Sequence, residues 1–272
     1  MKFENLNNEE IPEKYVYRYF SIEKFIGFLE TNSIYLARLD TFEDSLENIS
    51  PYDIIEITKS IKIINEINPN NFNQDYPITL DGLINSQKET LKKIKDKLIS
   101  QQKYRFASCW VLNDVESFAM WDMYAKDGVV IRFERKYFEQ IIIDSIPYQE
   151  FKTEEQSLLA IGKVLYQNFN MQNMLSNEKQ LHVKYSAFRK HQSFKHEDEY
   201  RLVLFTRNFT NNLGLKFKIP DIESLEINVI ASPRLSNFQF NQFQNIINKY
   251  SDKIKLKESQ LKNFLEFKSL KF

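Results

Sequence analysis

The chain of 272 residues is poor in the residues that build the commonest catalytic centres. Its single cysteine, Cys109, excludes an internal disulfide and fits a reducing compartment. That cysteine and three histidines, His182, His191 and His196, are too few for an ordinary zinc site. There are 5 glycines and no two lie close together, which excludes the usual glycine-rich phosphate loop. Excess charge of either sign is also lacking. Lysine plus arginine (37) equals aspartate plus glutamate (37), which argues against a general nucleic-acid coat or a polybasic membrane patch and leaves room only for a local basic groove. No stretch is long and apolar enough to span a bilayer. The opening Met1-Lys2-Phe3-Glu4-Asn5 lacks the charged and apolar regions of a signal peptide, so a cytoplasmic location is expected.

What is present is a large apolar and aromatic complement. The sequence is 42% hydrophobic and carries 23 Phe and 14 Tyr, enough for a sizeable core in one domain. Short alternating runs read as strands at Tyr15–Phe20, Ile34–Arg38, Tyr104–Trp110, Val129–Phe133, Gly162–Tyr166, Leu215–Ile219 and Ile227–Ser232. Helical spacing follows Ser21 through Glu30 and recurs over Glu116–Ala125, Glu178–Phe188 and Phe240–Tyr250. Without a regular strand–helix repeat, this order predicts a single α+β domain over residues 1–272, with a split, mainly antiparallel sheet around a cleft. A helical insertion is expected from about Pro51 to Lys103. Its isoleucine-rich first half and the stripe of Leu83, Ile84, Leu91, Ile94 and Leu98 read either as a pair covering one face of the core or as a lid or partner-docking surface.

The stretch His196-Glu197-Asp198-Glu199-Tyr200-Arg201-Leu202-Val203-Leu204-Phe205 carries the sharpest chemistry. In a strand, Glu197 and Glu199 leave one face, and two like charges so placed raise one pKa unless a cation or water separates them. A solvated strand entry is the plainer alternative. Arg201 shares that face if the strand is regular and is open as a counter-ion. Arg18 stands between aromatics in a strand expected to be largely buried, so it either finds an anionic partner or ligand or snorkels to water. Tyr35 and Arg38 on the next strand divide the same way between structure and site. Trp121 and Tyr124 are three apart and share a helix face, as core or as a stacking surface for a nicotinamide or adenine ring. Cys109 follows Ser108 in a strand with no histidine close in sequence, and is expected to be silent.

Several motifs resemble DUF2971, a bacterial family of unknown function. They are Tyr17-Arg18-Tyr19, Ile34-Tyr35-Leu36-Ala37-Arg38, Phe42-Glu43-Asp44-Ser45-Leu46-Glu47, Phe106-Ala107-Ser108-Cys109-Trp110, Met120-Trp121-Asp122-Met123-Tyr124-Ala125, Gly128-Val129-Val130-Ile131-Arg132-Phe133 and the acidic lead Glu197-Asp198-Glu199-Tyr200-Arg201. Ala37, Glu43 and Ser45 depart from the usual Ser-like, Asn and Pro positions. A second resemblance is to the core of the ADP-ribosyltransferases. It implies an ADP-ribosyltransferase-like fold and NAD as cofactor, with Arg18 holding the dinucleotide, Tyr35 beside the nicotinamide, and Glu199 preceded by Glu197 polarising the ribose. Arg38, Ser108, Trp121 and Tyr124 complete the expected NAD-binding set, with no metal. The implied activity is ADP-ribosyl transfer to a protein or nucleic acid, or NAD hydrolysis, and the family type points to bacterial conflict or anti-phage defence. Two other classes stay open. One is a magnesium-dependent nucleic-acid enzyme using Glu197, Asp198 and Glu199 with Asp40 or Asp44; the other is a non-catalytic binding or regulatory module.

Overall fold

The computed structural model describes residues 1–7, 10–67, 80–150, 157–168, 186–207, 210–220, 222, 225–251 and 254–262. After a short strand β1 (Lys2–Asn5), the aromatic and β-branched run Tyr15–Phe20 forms β2. Helix α1 (Ile22–Thr31) buries Phe25, Phe28 and Leu29, the i, i+3, i+4 stripe expected of a surface helix. Asn32 then takes a left-handed conformation at φ 46° and turns the chain into β3 (Ser33–Arg38). The insertion holds α2 (Pro51–Glu66) and α3 (Leu80–Gln101), and the chain returns as β4 (Arg105–Asn113). Ser117 caps the short α4 (Phe118–Tyr124) by accepting from the Met120 amide, and β5 (Val129–Glu134) follows. Gly128 permits the close approach of β5 to β2, since a Cβ there would stand 2.0 Å from the Phe20 carbonyl oxygen.

The second half runs α5 (Arg135–Ser145), β6 (Leu158–Lys163), β7 (Leu165–Gln167), β8 (Arg189–His191), β9 (Glu199–Phe205), β10 (Gly214–Lys218), β11 (Asn228–Ala231), α6 (Asn237–Ile247) and β12 (Lys255–Glu258). The expected strand Gly162–Tyr166 is in fact two, broken at Val164, with β7 joining β8 in a separate small sheet. Most of the expected helix Glu178–Phe188 lies outside the described residues, and Arg189–His191 at its end is strand. Helix α5 was not expected. It buries Phe138, Ile141 and Ile142, and its N-cap, Glu134, makes no side-chain cap bond, so no cap signal marks its start.

The fold is mixed, with an open, largely antiparallel sheet in the order β1-β6-β9-β4-β2-β5-β11-β12. Among the described residues, only β1–β6 and β11–β12 pair in parallel within that sheet. Strand β4 organises it. One edge of β4 pairs with β9 along its length, from Arg105↔Phe205 to Val111↔Glu199. Its other edge is shared. Tyr15, Val16 and Tyr17 of β2 pair with Asn113, Leu112 and Val111, whereas Ala37 and Arg38 of β3 pair with Ala107 and Phe106. Among the described residues, Ser108, Cys109 and Trp110 have no strand neighbour on that side. There the sheet divides into a β2-β5-β11-β12 wing and a β3-β10 wing.

Strand alternation gives the sheet two dressed faces. Val16, Phe20, Trp110, Phe133, Tyr200, Leu202 and Leu204 form the larger core with α1 and α5. Tyr17, Tyr19 and Val111 pack on the opposite face with Met120 and Trp121 of α4. Helices α2 and α3 do not cover that core. They pack on each other and none of their described residues is fully buried, which corrects the covering alternative. No helix among the described residues is long and apolar enough to cross a membrane.

Candidate functional site

A cavity of about 720 Å³ opens at the division of the sheet. It is lined by Arg18 from β2, Tyr35 from β3, Cys109 from β4, Tyr124 from α4, Glu197 two residues before β9, and Glu199 at its start. Residues far apart in sequence therefore line one cavity. Lys190 of β8 and Glu47 of the loop after β3 complete it.

Arg18 enters from an unexpected side. It shares a strand face with Val16 and Phe20, so it leaves β2 opposite to Tyr17, whose partner chain of Val111 and Glu199 marks the other face. The gap beside Ser108 and Cys109 lets the guanidinium reach the cavity. Arg18 Nη1 donates to Ser108 Oγ and, at 2.7 Å, to the Cys109 carbonyl. The guanidinium also lies 5.7 Å from the Phe20 ring centroid and 5.8 Å from that of Trp110. Burial holds its pKa below the ordinary arginine value, opposed by Cys109 and Glu199. Among the described residues no carboxylate pairs with it at ion-pair distance.

Glu197 and Glu199 are not on one regular strand. Glu197 ends the 3-10 turn Gln192–Glu197, Asp198 is left-handed at φ 39°, and β9 begins at Glu199. Both side chains nevertheless converge on Lys190, whose Nζ is 2.5 Å from Glu197 Oε2 and 3.0 Å from Glu199 Oε1. Arg201 holds Glu199 with two hydrogen bonds, at 2.6 and 3.1 Å, and Glu47 with two more at 2.7 Å. Its remaining contact is a 2.7 Å bond from Nη1 to the Ala187 carbonyl. Three carboxylates and two cations thus form one buried network, in which the solvated strand entry is replaced by charge pairing.

The network separates the two carboxylates chemically. Burial, and then the hydrogen bond and charge of Glu199, push Glu197 up to about 7 against the pull of Lys190. Burial also pushes Glu199 up, but the charge and hydrogen bonds of Arg201, the hydrogen bond from Glu197 and the charge of Lys190 outweigh it and hold it well below the carboxylate range. Glu197 is therefore the member that carries a proton near neutrality, and Glu199 stays ionised. Burial, followed by the charge of Glu199, drives the Cys109 thiol well above its ordinary pKa, so it is not a thiolate.

The other expected ligands stand behind or beside this wall. Ser108 is fully buried and accepts from Arg18 and, at 3.1 Å, from Trp110 Nε1. Trp121 is fully buried, edge-on to Tyr19 at 5.0 Å, and donates to Glu116. Arg38 is tied to Asp40 at 2.6 Å and to the Thr210 carbonyl. None of these three lines the cavity, whereas Tyr35 and Tyr124, each 49% exposed, do. The magnesium reading needed Asp40 or Asp44 beside Glu197 and Glu199; Asp40 turns to Arg38 instead, Asp44 lines the same cavity, and among the described residues no three His, Cys, Asp or Glu side chains are grouped to hold a metal. Glu47 and Lys190 were missed as site residues. The only sequence signal for Glu47 was its place at the end of the Phe42–Glu47 motif.

Residues 120–202 match the model of the family described as Protein of unknown function (DUF2971). That segment runs from α4 to β9 and contains both cavity carboxylates of β9's entry, together with Lys190 and Arg201. No curated protein and no solved structure matches the chain.

Proposed function

Taking the chain as a member of the DUF2971 family, we propose that its cavity binds NAD and breaks the nicotinamide–ribose bond, passing ADP-ribose to water or to an acceptor. The observation that carries this reading is that Arg18, Tyr35 and Glu199, from three elements far apart in sequence, line one cavity. Its volume lies in the range of roughly 300–1,000 Å³ usual for small-molecule sites. Arg18 offers an anion a guanidinium that no described carboxylate neutralises, which fits a pyrophosphate. The half-exposed rings of Tyr35 and Tyr124 offer faces for stacking.

In this reading nicotinamide leaves with the electron pair of the C–N bond, and positive charge develops on the ribose, as in glycoside cleavage. Glu199, held ionised by Arg201 and Lys190, supplies a fixed negative charge in a largely dry wall. In its ionised form, populated as pH approaches about 7, Glu197 takes the proton of the attacking water or hydroxyl as the new C–O bond forms. Ser108 holds the Arg18 guanidinium rather than touching the dinucleotide. The test is calorimetric titration of NAD into wild type and Arg18→Ala. Binding by wild type that weakens at least tenfold in the variant supports the reading; the absence of NAD binding by wild type removes it.

A further inference from the structure

The insertion carries a second concave surface, distant in chemistry from the cavity. A groove of about 320 Å³ runs between α2 and α3. Its floor is Ile57, Ile61, Ile64 and Leu91, and its rim on the α3 side is Lys88, Lys92 and Lys95. Nothing else in the described chain closes over this floor: Ile61 is 46% exposed and Leu91 only half-buried. The three lysines are spaced i, i+4, i+7, so they stand in a row about 10 Å long on one helix face.

The charges of the two helices differ. The lysines of α2 have acids of their own, Lys59 with Glu56 at 3.9 Å and Lys62 with Glu66 at 3.8 Å. Among the described residues, Lys88, Lys92 and Lys95 have no carboxylate within ion-pair distance. The chain as a whole is neutral, so this row is a local excess rather than part of a general basic surface. An apolar floor with one cationic rim is complementary to a helix that is apolar on one face and acidic along one flank. Nucleic acid fits less well, because the floor is aliphatic and offers no ring for stacking.

We propose that the α2–α3 groove is the docking site for an acidic amphipathic helix of a partner protein. The aliphatic floor takes its leucine-type anchors, and Lys88, Lys92 and Lys95 take its carboxylates. This surface is independent of NAD chemistry and stands or falls without it.

The test uses the full chain and a fluorescein-labelled helical peptide with leucines at i, i+3, i+4 and i+7 and glutamates along one flank. A second peptide carries lysines in place of the glutamates. Fluorescence anisotropy should show saturable binding of the acidic peptide, at least tenfold tighter than the lysine peptide and weakened by added salt. The triple variant Lys88→Glu, Lys92→Glu, Lys95→Glu should lose at least tenfold for the acidic peptide and gain for the lysine peptide. Ile61→Ser, at an exposed position, should weaken the acidic peptide without altering the thermal midpoint. No binding of the acidic peptide, or equal binding of both peptides by wild type, overturns the proposal. So does a wild-type dimer in sedimentation that the triple variant makes monomeric, since the occupant would then be a second copy.

Discussion

Arg18 donates from Nη1 to the main-chain carbonyl of Cys109 at 2.7 Å, in the gap between β2 and β3 along the edge of β4 away from β9. A side chain thereby satisfies a carbonyl that a ladder would otherwise hold, and the same side chain faces the cavity. Arg18→Ala leaves that carbonyl without its side-chain donor and leaves Ser108 with Trp110 Nε1 alone. A stability loss of about 1–3 kcal/mol is expected in denaturant unfolding, together with loss of the proposed NAD binding. Arg18→Lys should regain part of the stability but little of the binding, because an ammonium lacks the planar fork. Full binding by the lysine variant would contradict the role given to the guanidinium.

Arg201 is fully buried and holds Glu47 and Glu199 at once. Arg201→Met keeps bulk and removes the charge, leaving two buried carboxylates with Lys190 as their remaining cation. The expected cost is about 3–5 kcal/mol, read as a fall in the denaturation midpoint. Double replacement of Arg201 and Glu47 by apolar residues should cost less than Arg201→Met alone. A double variant less stable than the single one would show that the pair is not coupled as described.

Glu197 gives stability a pH slope of known sign. Its folded pKa of about 7 lies above the ordinary 4.5, so folding favours its protonated form. That contribution is full below about 4.5 and is lost as pH rises through about 7. Glu199 acts in the opposite sense: its depressed pKa stabilises above the ordinary value, and that stability is lost as pH falls. Glu197→Gln isolates the first effect. Relative to wild type, the glutamine variant should gain in thermal midpoint between pH 5 and pH 8. A difference that does not change over this range would remove the assigned shift.

Gly214 lies under the ring of Tyr35, and a Cβ there would come within 2.1 Å of Tyr35 Cζ. The clash is with the far end of a side chain, so Gly214→Ala should move the ring while changing stability by roughly 0.5 kcal/mol or less. Ligand binding should fall as far as in Tyr35→Ala. Unchanged binding in both variants would show that this ring takes no part in recognition.

Local pattern made much of the fold legible. β2, β3, β4 and β5 follow runs of aromatic and β-branched residues, and α1 follows its Phe25, Phe28 and Leu29 stripe. Helix α5 escaped because it starts without a side-chain cap directly after a strand. The division of the sheet depends on which part of β4 each neighbour selects, a long-range choice that no local pattern records. The site was legible in its end members, Arg18 and Glu199, since a cation among aromatics and paired acids both call for partners. The partners were not. Glu47 and Arg201 meet across 154 residues, and Lys190, which helical spacing places at a helix end, lies in a strand. The left-handed turn at Asp198 also defeated the simple period-two reading of Glu197 and Glu199.

The most direct measurement is the rate of nicotinamide release from NAD by purified wild type and by Glu199→Gln, with circular dichroism confirming that both are folded. Glutamine keeps the shape and one hydrogen-bond acceptor while removing the charge that the proposed mechanism sets against a cationic ribose. The account predicts a fall of roughly 10²-fold or more in turnover with little change in NAD affinity. Equal rates in the two proteins, or no release by wild type under conditions where NAD is bound, would contradict it.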